Sequence, residues 1–316
     1  MNRGRVPWPL KTFSRSRFTV TDNGITEVTM STQAAARTVP YKEKAPFDYS
    51  SYIRKGKLPH IWCPGCGHGI VLKSLLRAID ATGMSKDDIA LVSGIGCSSR
   101  TPGYVDFNTL HTLHGRALAY ATGLKLAKPK LKVIVITGDG DALAIGGNHF
   151  IHTCRRNMDM TVLVYNNYIY GMTSGQSSPT TPQGMIATTA RYGSIEPTFD
   201  TCNLAKSAGA TFVARGTAYH CQELEKTIYD AIIHKGTSVV DVLDSCPTYY
   251  GRFNKVKGNS ELMVMAEKEG TVSLAQAEKM TPEQMQGKLV RGVLHKAERP
   301  EYCEEYEKLT ARVQGK

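Results

Sequence analysis

Apolar residues in this chain gather into short, nearly unbroken runs separated by Gly-, Asp- and Asn-rich turns. Ile89–Ser93 (IALVS), Leu131–Thr137 (LKVIVIT), Met160–Tyr165 (MTVLVY), Thr211–Ala214 (TFVA) and Ser238–Leu243 (SVVDVL) read as strands. Runs, rather than alternations, mark strands covered on both faces, as in a parallel sheet. Between the runs, Gly69–Ile79, His111–Ala127, Gly147–Arg156, Leu204–Ala208 and His220–His234 place apolar residues at helical spacing. Lys128-Pro129 stops the second of these. The alternation predicts an α/β fold with a doubly wound, mostly parallel sheet. Past Gly251 the pattern turns polar, with a helix-like Glu283–Lys296 and an acidic Glu301–Lys308. We therefore expect an extension over 1–45, an α/β domain over 46–250, and a helical or irregular tail over 251–316 that packs on the domain or a partner. One connection, Gly171–Thr189 (GMTSGQSSPTTPQGMIATT), is long for a structureless link and is expected to have a function, such as closing over a ligand.

Three of the runs end in unusual polar turns: Gly94-Ile95-Gly96-Cys97, Gly138-Asp139-Gly140-Asp141, and Asn166-Asn167-Tyr168-Ile169-Tyr170-Gly171. Open α/β sheets bind ligands at the carboxyl edge of their strands. A lone GDG or NN is usually a surface turn. At successive strand ends of one βαβ unit, a GDG followed some 25–30 residues later by NN is the thiamine diphosphate–magnesium pattern. Magnesium takes octahedral oxygen ligands and bridges protein carboxylates or amides to phosphate. Asp139 offers the carboxylate, Asn167 an amide oxygen and Ile169 a backbone carbonyl. Gly138 and Gly140 let the backbone turn tightly against the phosphates. A helix starting near Gly146 would point free N–H groups at the diphosphate. His111 and His114, three apart on the predicted helix, are read as candidate diphosphate or substrate contacts, His114 foremost. His149 and His152 are read as packing or partner contacts.

Composition bounds what remains. The chain has 316 residues, 41% hydrophobic and 21% charged, which suits one large core or two small ones. No apolar run approaches the length of a membrane span, and we expect a cytoplasmic protein. Met1–Met30 carries Arg3, Arg5, Lys11, Arg15 and Arg17 without an apolar stretch, so it is no secretory signal. It reads as a disordered extension or a start placed upstream of Met30, in preference to a transit peptide. The net charge of +11 is spread along the chain and comes with no nucleic-acid-binding signature. An acidic protein partner fits it best. Eight cysteines in a chain without a secretory signal argue against a disulfide framework. Cys63-Pro64-Gly65-Cys66 can turn two thiolates onto one metal centre, while Cys97 and Cys246 sit at strand ends on the predicted ligand edge. Four such thiolates suit an iron–sulfur cluster or structural zinc. The chemistry tips the choice, because thiamine-dependent oxidation of a 2-oxo acid releases electrons that zinc cannot take. A thioredoxin-type pair is disfavoured, since no strand precedes the CxxC. Cys154, Cys202, Cys221 and Cys303 read as buried or incidental thiols.

The runs IWCPGCGHGIVLKSLLRAI, SGIGCSSR, HTLHGRALAYATGLKLA and GDGDALAIGGNHFIHTCRRNMDMTVLVYNNYIYGMTSGQSSPTTP resemble the β subunits of 2-oxoacid:ferredoxin oxidoreductases, most closely the 2-oxoglutarate (KorB-type) members. The likeness spans roughly residues 49–254. It implies a thiamine diphosphate-binding domain with Mg2+ on Asp139, Asn167 and Ile169, and a [4Fe–4S] cluster on Cys63, Cys66, Cys97 and Cys246. It places cofactor contacts on Gly96, Cys97, Ser98, His114, Gly140, Asp141, Met172 and Thr173. The activity implied is reversible oxidative decarboxylation of a 2-oxo acid, with coenzyme A taking the acyl group and ferredoxin the electrons. The implied partner is an α subunit, in an αβ or (αβ)2 assembly, which supplies the glutamate that activates the cofactor. The chain alone is then inactive. Ser174 stands where many 2-oxoglutarate members have glycine, in a loop that lies near substrate in the family. The same chemistry on pyruvate or another 2-oxo acid is the near alternative. A non-redox thiamine enzyme would have no use for the four cysteines, and a zinc-stabilised interaction subunit would be colourless.

Overall fold

The computed structural model describes residues 47–256 and 258–315; the expected 1–45 extension lies outside the described residues. The strands are β1 (Ile89–Ser93), β2 (Asn108–His111), β3 (Lys132–Gly138), β4 (Met160–Asn166), β5 (Ile169–Tyr170), β6 (Gln176–Ser177), β7 (Phe212–Thr217), β8 (Thr237–Leu243), β9 (Thr271–Ser273) and β10 (Leu289–Lys296). Eight of them form one sheet in the order β2-β1-β3-β4-β8-β7-β10-β9, while β5 and β6 make a separate hairpin. The first six in that order are parallel to one another. β10 runs antiparallel to β7 and carries β9 beside it. The parallel, doubly wound sheet predicted from the apolar runs is the fold observed.

Every residue of β1, β4, β7 and β8 is buried, which is why these strands read as runs. Alternate side chains feed two cores. Ile134, Ile136, Leu163 and Val240 pack under helices His68–Thr82 and Cys221–Ile233. Val133, Val135, Val162 and Val239 pack under Ala117–Ala127, Gly147–Arg156 and Thr201–Ala208. The chain leaves β1 for the β2 side and then crosses to β3 on the other. The strand order thus reverses between β1 and β3, and such a reversal opens a crevice at the carboxyl ends of the two strands.

Two sequence expectations are corrected. The helix His111–Ala127 is a helix only over Ala117–Ala127. Asn108–His111 is instead β2, and Gly115, at φ 69°, breaks the chain between them. As a largely exposed edge strand β2 carries no apolar run, which hid it. Glu283–Lys296 is not helical beyond Met285. Leu289–Lys296 joins the free edge of β7, and glycines at positive φ, Gly287 and Gly292, set its course. The tail therefore extends the sheet. The helix expected near Gly146 is observed over Gly147–Arg156 with Gly146 as its N-cap, and a π-helical turn over Asp141–Ile145, entered from Gly140, stands between it and the GDG turn.

Candidate active site

At the β1/β3 reversal lies a cavity of about 190 Å³. It is lined by Gly96, Cys97 and Ser98 after β1, His114 after β2, Gly138 to Asp141 after β3, and Asn167, Ile169, Met172 and Thr173 after β4. The structure thus gathers on one surface Gly138 and the cofactor and magnesium positions that the resemblance implies. His111, the other candidate contact, is not among the lining residues; at the end of β2, its Nδ1 lies 3.0 Å from Ser93 Oγ at the end of β1. His149 packs on Arg116 (3.0 Å) and His152 on Arg155 (3.2 Å), both outside the cavity. Ser174 does not line the cavity either. It sits at φ 86°, a left-handed conformation natural to glycine, so the serine at this position carries a backbone cost.

Asp139 is buried, and burial pushes its carboxyl up to about 6, against the hydroxyls of Ser178 and Thr180 that favour its charge. Tyr168, between Asn167 and Ile169, is held at φ 65°, which bends the backbone sharply between the two candidate ligands. The Asn167 side chain accepts from Ile169 N–H at 3.3 Å. Gly140 is required by contact: a Cβ there would fall 2.3 Å from the Tyr170 ring. That ring's hydroxyl donates to Gly140 O at 3.0 Å. Carboxylate, amide and carbonyl oxygens are the donor set of a hard divalent cation. Ser98 Oγ, on the cavity wall, is buried without a hydrogen-bond partner among the described residues. An orphaned hydroxyl at this position fits a diphosphate oxygen.

Asp141 lines the cavity, and its carboxylate also ties the surrounding turns together. It is 3% exposed. Its Oδ1 accepts from Gly115 N–H at 2.6 Å and Ile95 N–H at 3.4 Å. Its Oδ2 takes the Thr137 hydroxyl at 2.7 Å. His114 Nδ1 sits 2.6 Å from Oδ1, which leaves the far edge of that ring for the cavity. Gly94 must be glycine, since a Cβ would lie 2.0 Å from this carboxylate.

The four predicted cluster cysteines converge beside the same cavity. Burial pushes Cys97 up to about 11; His68 opposes this, while Cys66, Cys246 and Cys63 add to it. Cys246 is raised by burial and also feels Cys66. A Cβ on Gly171 would lie 3.4 Å from Cys97 Sγ and 3.6 Å from Cys246 Sγ, so that backbone passes both thiols. Cys66 N–H donates to Cys63 O at 3.0 Å, closing the CPGC turn. All eight cysteines are free. Among the described residues the only three metal-ligating atoms within 4.8 Å of one another belong to Cys66, His68 and Asp244, so the four thiols are neighbours around a wider space than a single tetrahedral zinc would hold. The remaining cysteines lie elsewhere: burial pushes Cys154 and Cys303 up to about 12 and Cys202 well above the ordinary range, and Cys221 is exposed.

His68, for which no role is legible in the sequence, stands on the cavity wall. Burial works against its charge, yet Asp244 and Cys66 beside it carry the ring well above the ordinary histidine range. It lines the cavity, pairs with the buried Asp244 and meets Tyr165 edge-on at 5.2 Å. Its place two residues after the CxxC was the available signal; Asp244, far off in sequence, gave none.

This arrangement has known counterparts. Residues 94–242 match the family model described as thiamine pyrophosphate enzyme, C-terminal TPP binding domain, which fixes the class of the fold. The chain is 49% identical over 268 residues to the 2-oxoglutarate synthase subunit KorB of Methanothermobacter marburgensis, covering 85% of this chain and 94% of that protein. It is 51% identical over 264 residues to the KorB subunit of Methanocaldococcus jannaschii, covering 84% and 97%. The chain belongs to the KorB family of 2-oxoglutarate synthase subunits. Among solved structures, a 2-oxoglutarate:ferredoxin oxidoreductase from Magnetococcus marinus, with 2-oxoglutarate, coenzyme A and succinyl-CoA bound, superposes with a TM-score of 0.76 at 33% identity. The superposition covers 87% of this chain and 93% of that one.

Proposed function

We propose that this chain is the β subunit of a 2-oxoglutarate:ferredoxin oxidoreductase, converting 2-oxoglutarate and coenzyme A to succinyl-CoA and carbon dioxide. The observation that carries the reading is the shared wall. The oxygen donors Asp139, Asn167 and Ile169 line the cavity together with Cys97, and Cys97 has Cys63, Cys66 and Cys246 as its neighbours. Asp139 and Asn167, with the carbonyl of Ile169, would hold Mg2+ and through it the diphosphate, with Ser98 and the turn entering at Gly140 receiving phosphate oxygens. Thiamine diphosphate supplies the electron sink for decarboxylation, and a [4Fe–4S] cluster on the four thiolates supplies the one-electron acceptor. The protein's part is orientation: Asp141 ties the β1, β2 and β3 turns together, and His114 is fixed by Asp141 with its free edge toward the cavity.

The cavity is small beside the roughly 300–1,000 Å³ of complete ligand sites, in keeping with a site finished by another chain. Its rim is apolar: Ile95 and Met172, which line it, and Leu113 and Ile145, which flank Gly115, are exposed. An α subunit covering this rim, in an αβ or (αβ)2 assembly, would exclude water and bring the activating acid that no residue on the wall supplies. The excess of positive charge suits an acidic ferredoxin as electron acceptor. Eight free thiols suit the reducing cytoplasm, and among the described residues no helix is long and apolar enough to cross a membrane.

The test is the co-expressed αβ assembly, purified without oxygen and assayed for ferredoxin reduction with 2-oxoglutarate, pyruvate and branched 2-oxo acids. We expect coenzyme A-dependent turnover, highest kcat/KM on 2-oxoglutarate, and a broad visible band. Cys246→Ser should bleach that band and abolish ferredoxin reduction while thiamine diphosphate still binds. A colourless, zinc-containing wild-type assembly would refute the redox reading, and preference for pyruvate would refute the substrate.

A further inference from the structure

The Gly171–Thr189 connection does not end as a free lid. Its middle, Ser178-Pro179-Thr180-Thr181-Pro182, folds into a tight turn in which Thr181 N–H donates to Ser178 O at 3.0 Å. Ser178, Thr180 and Thr181 are each 5% exposed or less. Two prolines limit the turn's backbone freedom before anything binds, and Phe199 N–H anchors it by donating to Pro179 O at 2.9 Å.

The three buried hydroxyls point at the two halves of the proposed metal site. Ser178 Oγ and Thr180 Oγ1 donate to the same oxygen, Asp139 Oδ2, at 2.5 and 2.6 Å. Thr181 Oγ1 donates to the backbone carbonyl of Tyr168 at 2.5 Å and accepts from Ser178 N–H at 2.9 Å. One turn therefore grips the carboxylate at the end of β3 and the left-handed residue between Asn167 and Ile169 at the end of β4. β3 and β4 are sheet neighbours, but their pairing ends at Gly138 and Tyr165, and the pairing of β4 with β8 ends at Asn166, so the sheet itself does not hold Asp139 against Asn167. Two short charge-assisted bonds on a single carboxylate oxygen hold the rotation of the carboxylate plane. A bond to the Tyr168 carbonyl holds the bend that separates the other two ligands.

We propose that the Ser178–Thr181 turn is the positioning element of the divalent-metal site, holding Asp139 in register with Asn167 and Ile169 so that cation and diphosphate meet a preformed donor set. None of its hydroxyls needs to touch the metal. Groups that orient metal ligands in this way cost about 10–100-fold in metal affinity when removed. The proposal rests on the reading of Asp139 as a metal ligand, so the experiment separates the two.

Calorimetric titration of Mg2+ into the co-expressed αβ assembly, stripped of metal and held at saturating thiamine diphosphate, gives the Mg2+ dissociation constant for each variant. Thr180→Val, which keeps the shape and loses the hydroxyl, should weaken Mg2+ about 10-fold or more, as should Ser178→Ala. Thr180→Ser should restore it to within about 2-fold, because the donor returns. The double variant should lose less than the product of the singles, because both hydroxyls serve one oxygen. Thr180→Val should also lower the metal-free melting temperature by a few degrees, but the Mg2+ constant is read where every variant is folded, so a merely structural role would leave it unmoved. Wild-type Mg2+ affinity in both Thr180→Val and Ser178→Ala overturns the proposal. If Asp139→Ala also keeps Mg2+-dependent cofactor binding, the metal-site reading itself has failed; if Asp139→Ala loses it, only the positioning role has.

Discussion

Asp141 is the sharpest place to test whether the site is built as described, because resemblance and geometry assign it different work. As a cofactor contact, it should lose ligand affinity when replaced and leave the empty protein unharmed. As a tie between three strand ends, it should destabilise the empty protein first. The perturbation is Asp141→Ala. The carboxylate takes two close donors, Gly115 N–H at 2.6 Å and Thr137 Oγ1 at 2.7 Å, with His114 Nδ1 also at 2.6 Å and a weaker Ile95 N–H at 3.4 Å. Hydrogen bonds to a charged acceptor contribute about 1.5–3 kcal/mol each. Counting the two short hydrogen bonds, from Gly115 N–H and Thr137 Oγ1, at the lower end gives a loss of about 3 kcal/mol, including the Gly115 N–H left buried without a partner. For a domain of this size each kcal/mol moves the melting temperature by about 2–4 °C. The expected drop is then about 6–12 °C in the cofactor-free αβ assembly, read by scanning calorimetry. Asp141→Asn keeps the shape, and the Thr137 hydroxyl can reverse to meet the new amide. It should lose about a third as much. An Asp141→Ala assembly that melts with wild type yet binds thiamine diphosphate poorly would refute the tie and leave the contact.

Two further outcomes rest on backbone and burial. The buried Glu267 carboxyl is pushed up to about 8, by burial first and Asp244 second, despite hydrogen bonds from Ser245, Tyr219 and Ala218. The folded chain therefore holds a proton between about pH 4.5 and 8 that the unfolded chain releases, and stability falls as pH rises through that window. Glu267→Gln should flatten this slope, gaining on wild type toward pH 8 in thermal melts, and an unchanged slope would exclude Glu267 as its source. Ser174→Gly relieves a left-handed serine at φ 86° and should stabilise by about 0.5–1 kcal/mol after the glycine's own entropy cost. It should leave the ratio of kcat/KM for 2-oxoglutarate over pyruvate unchanged, whereas a shifted ratio would mean the serine does reach substrate.

The legible parts of this molecule were those in which each residue declares its own environment. Buried parallel strands must be apolar along their length, so β1, β3, β4 and β8 could be read nearly to the residue, and with them the turns at their ends. Asp139, Asn167 and Cys97 were legible for that reason: they stand at run ends, where topology forces residues onto one edge. The illegible parts took their structure from neighbours. β2 and β10 are strands because β1 and β7 had open edges to pair, and their exposed or half-exposed faces carry a mixed pattern that mimics helical spacing. Asp244 and Glu267 are meaningful only through His68 and Ser245, which lie far from them in sequence.

His111 and His114 show the same limit on a smaller scale. Their spacing of three suggests a shared helical face, but the intervening chain is a strand end followed by a turn. The two side chains part: His111 goes to Ser93, and His114 to Asp141 and the cavity. What decides between them is Gly115, whose left-handed backbone and N–H bond to Asp141 turn the chain back over the β3 end. A cofactor site of this kind is specified twice over. Strand ends bring the ligand-bearing turns to one edge, and buried polar residues such as Asp141, Ser178 and Thr180 then lock those turns to one another. The first specification is written as hydrophobic pattern and can be read. The second is written as single polar residues whose partners lie tens of residues away, and it emerges only when the sheet has been assembled.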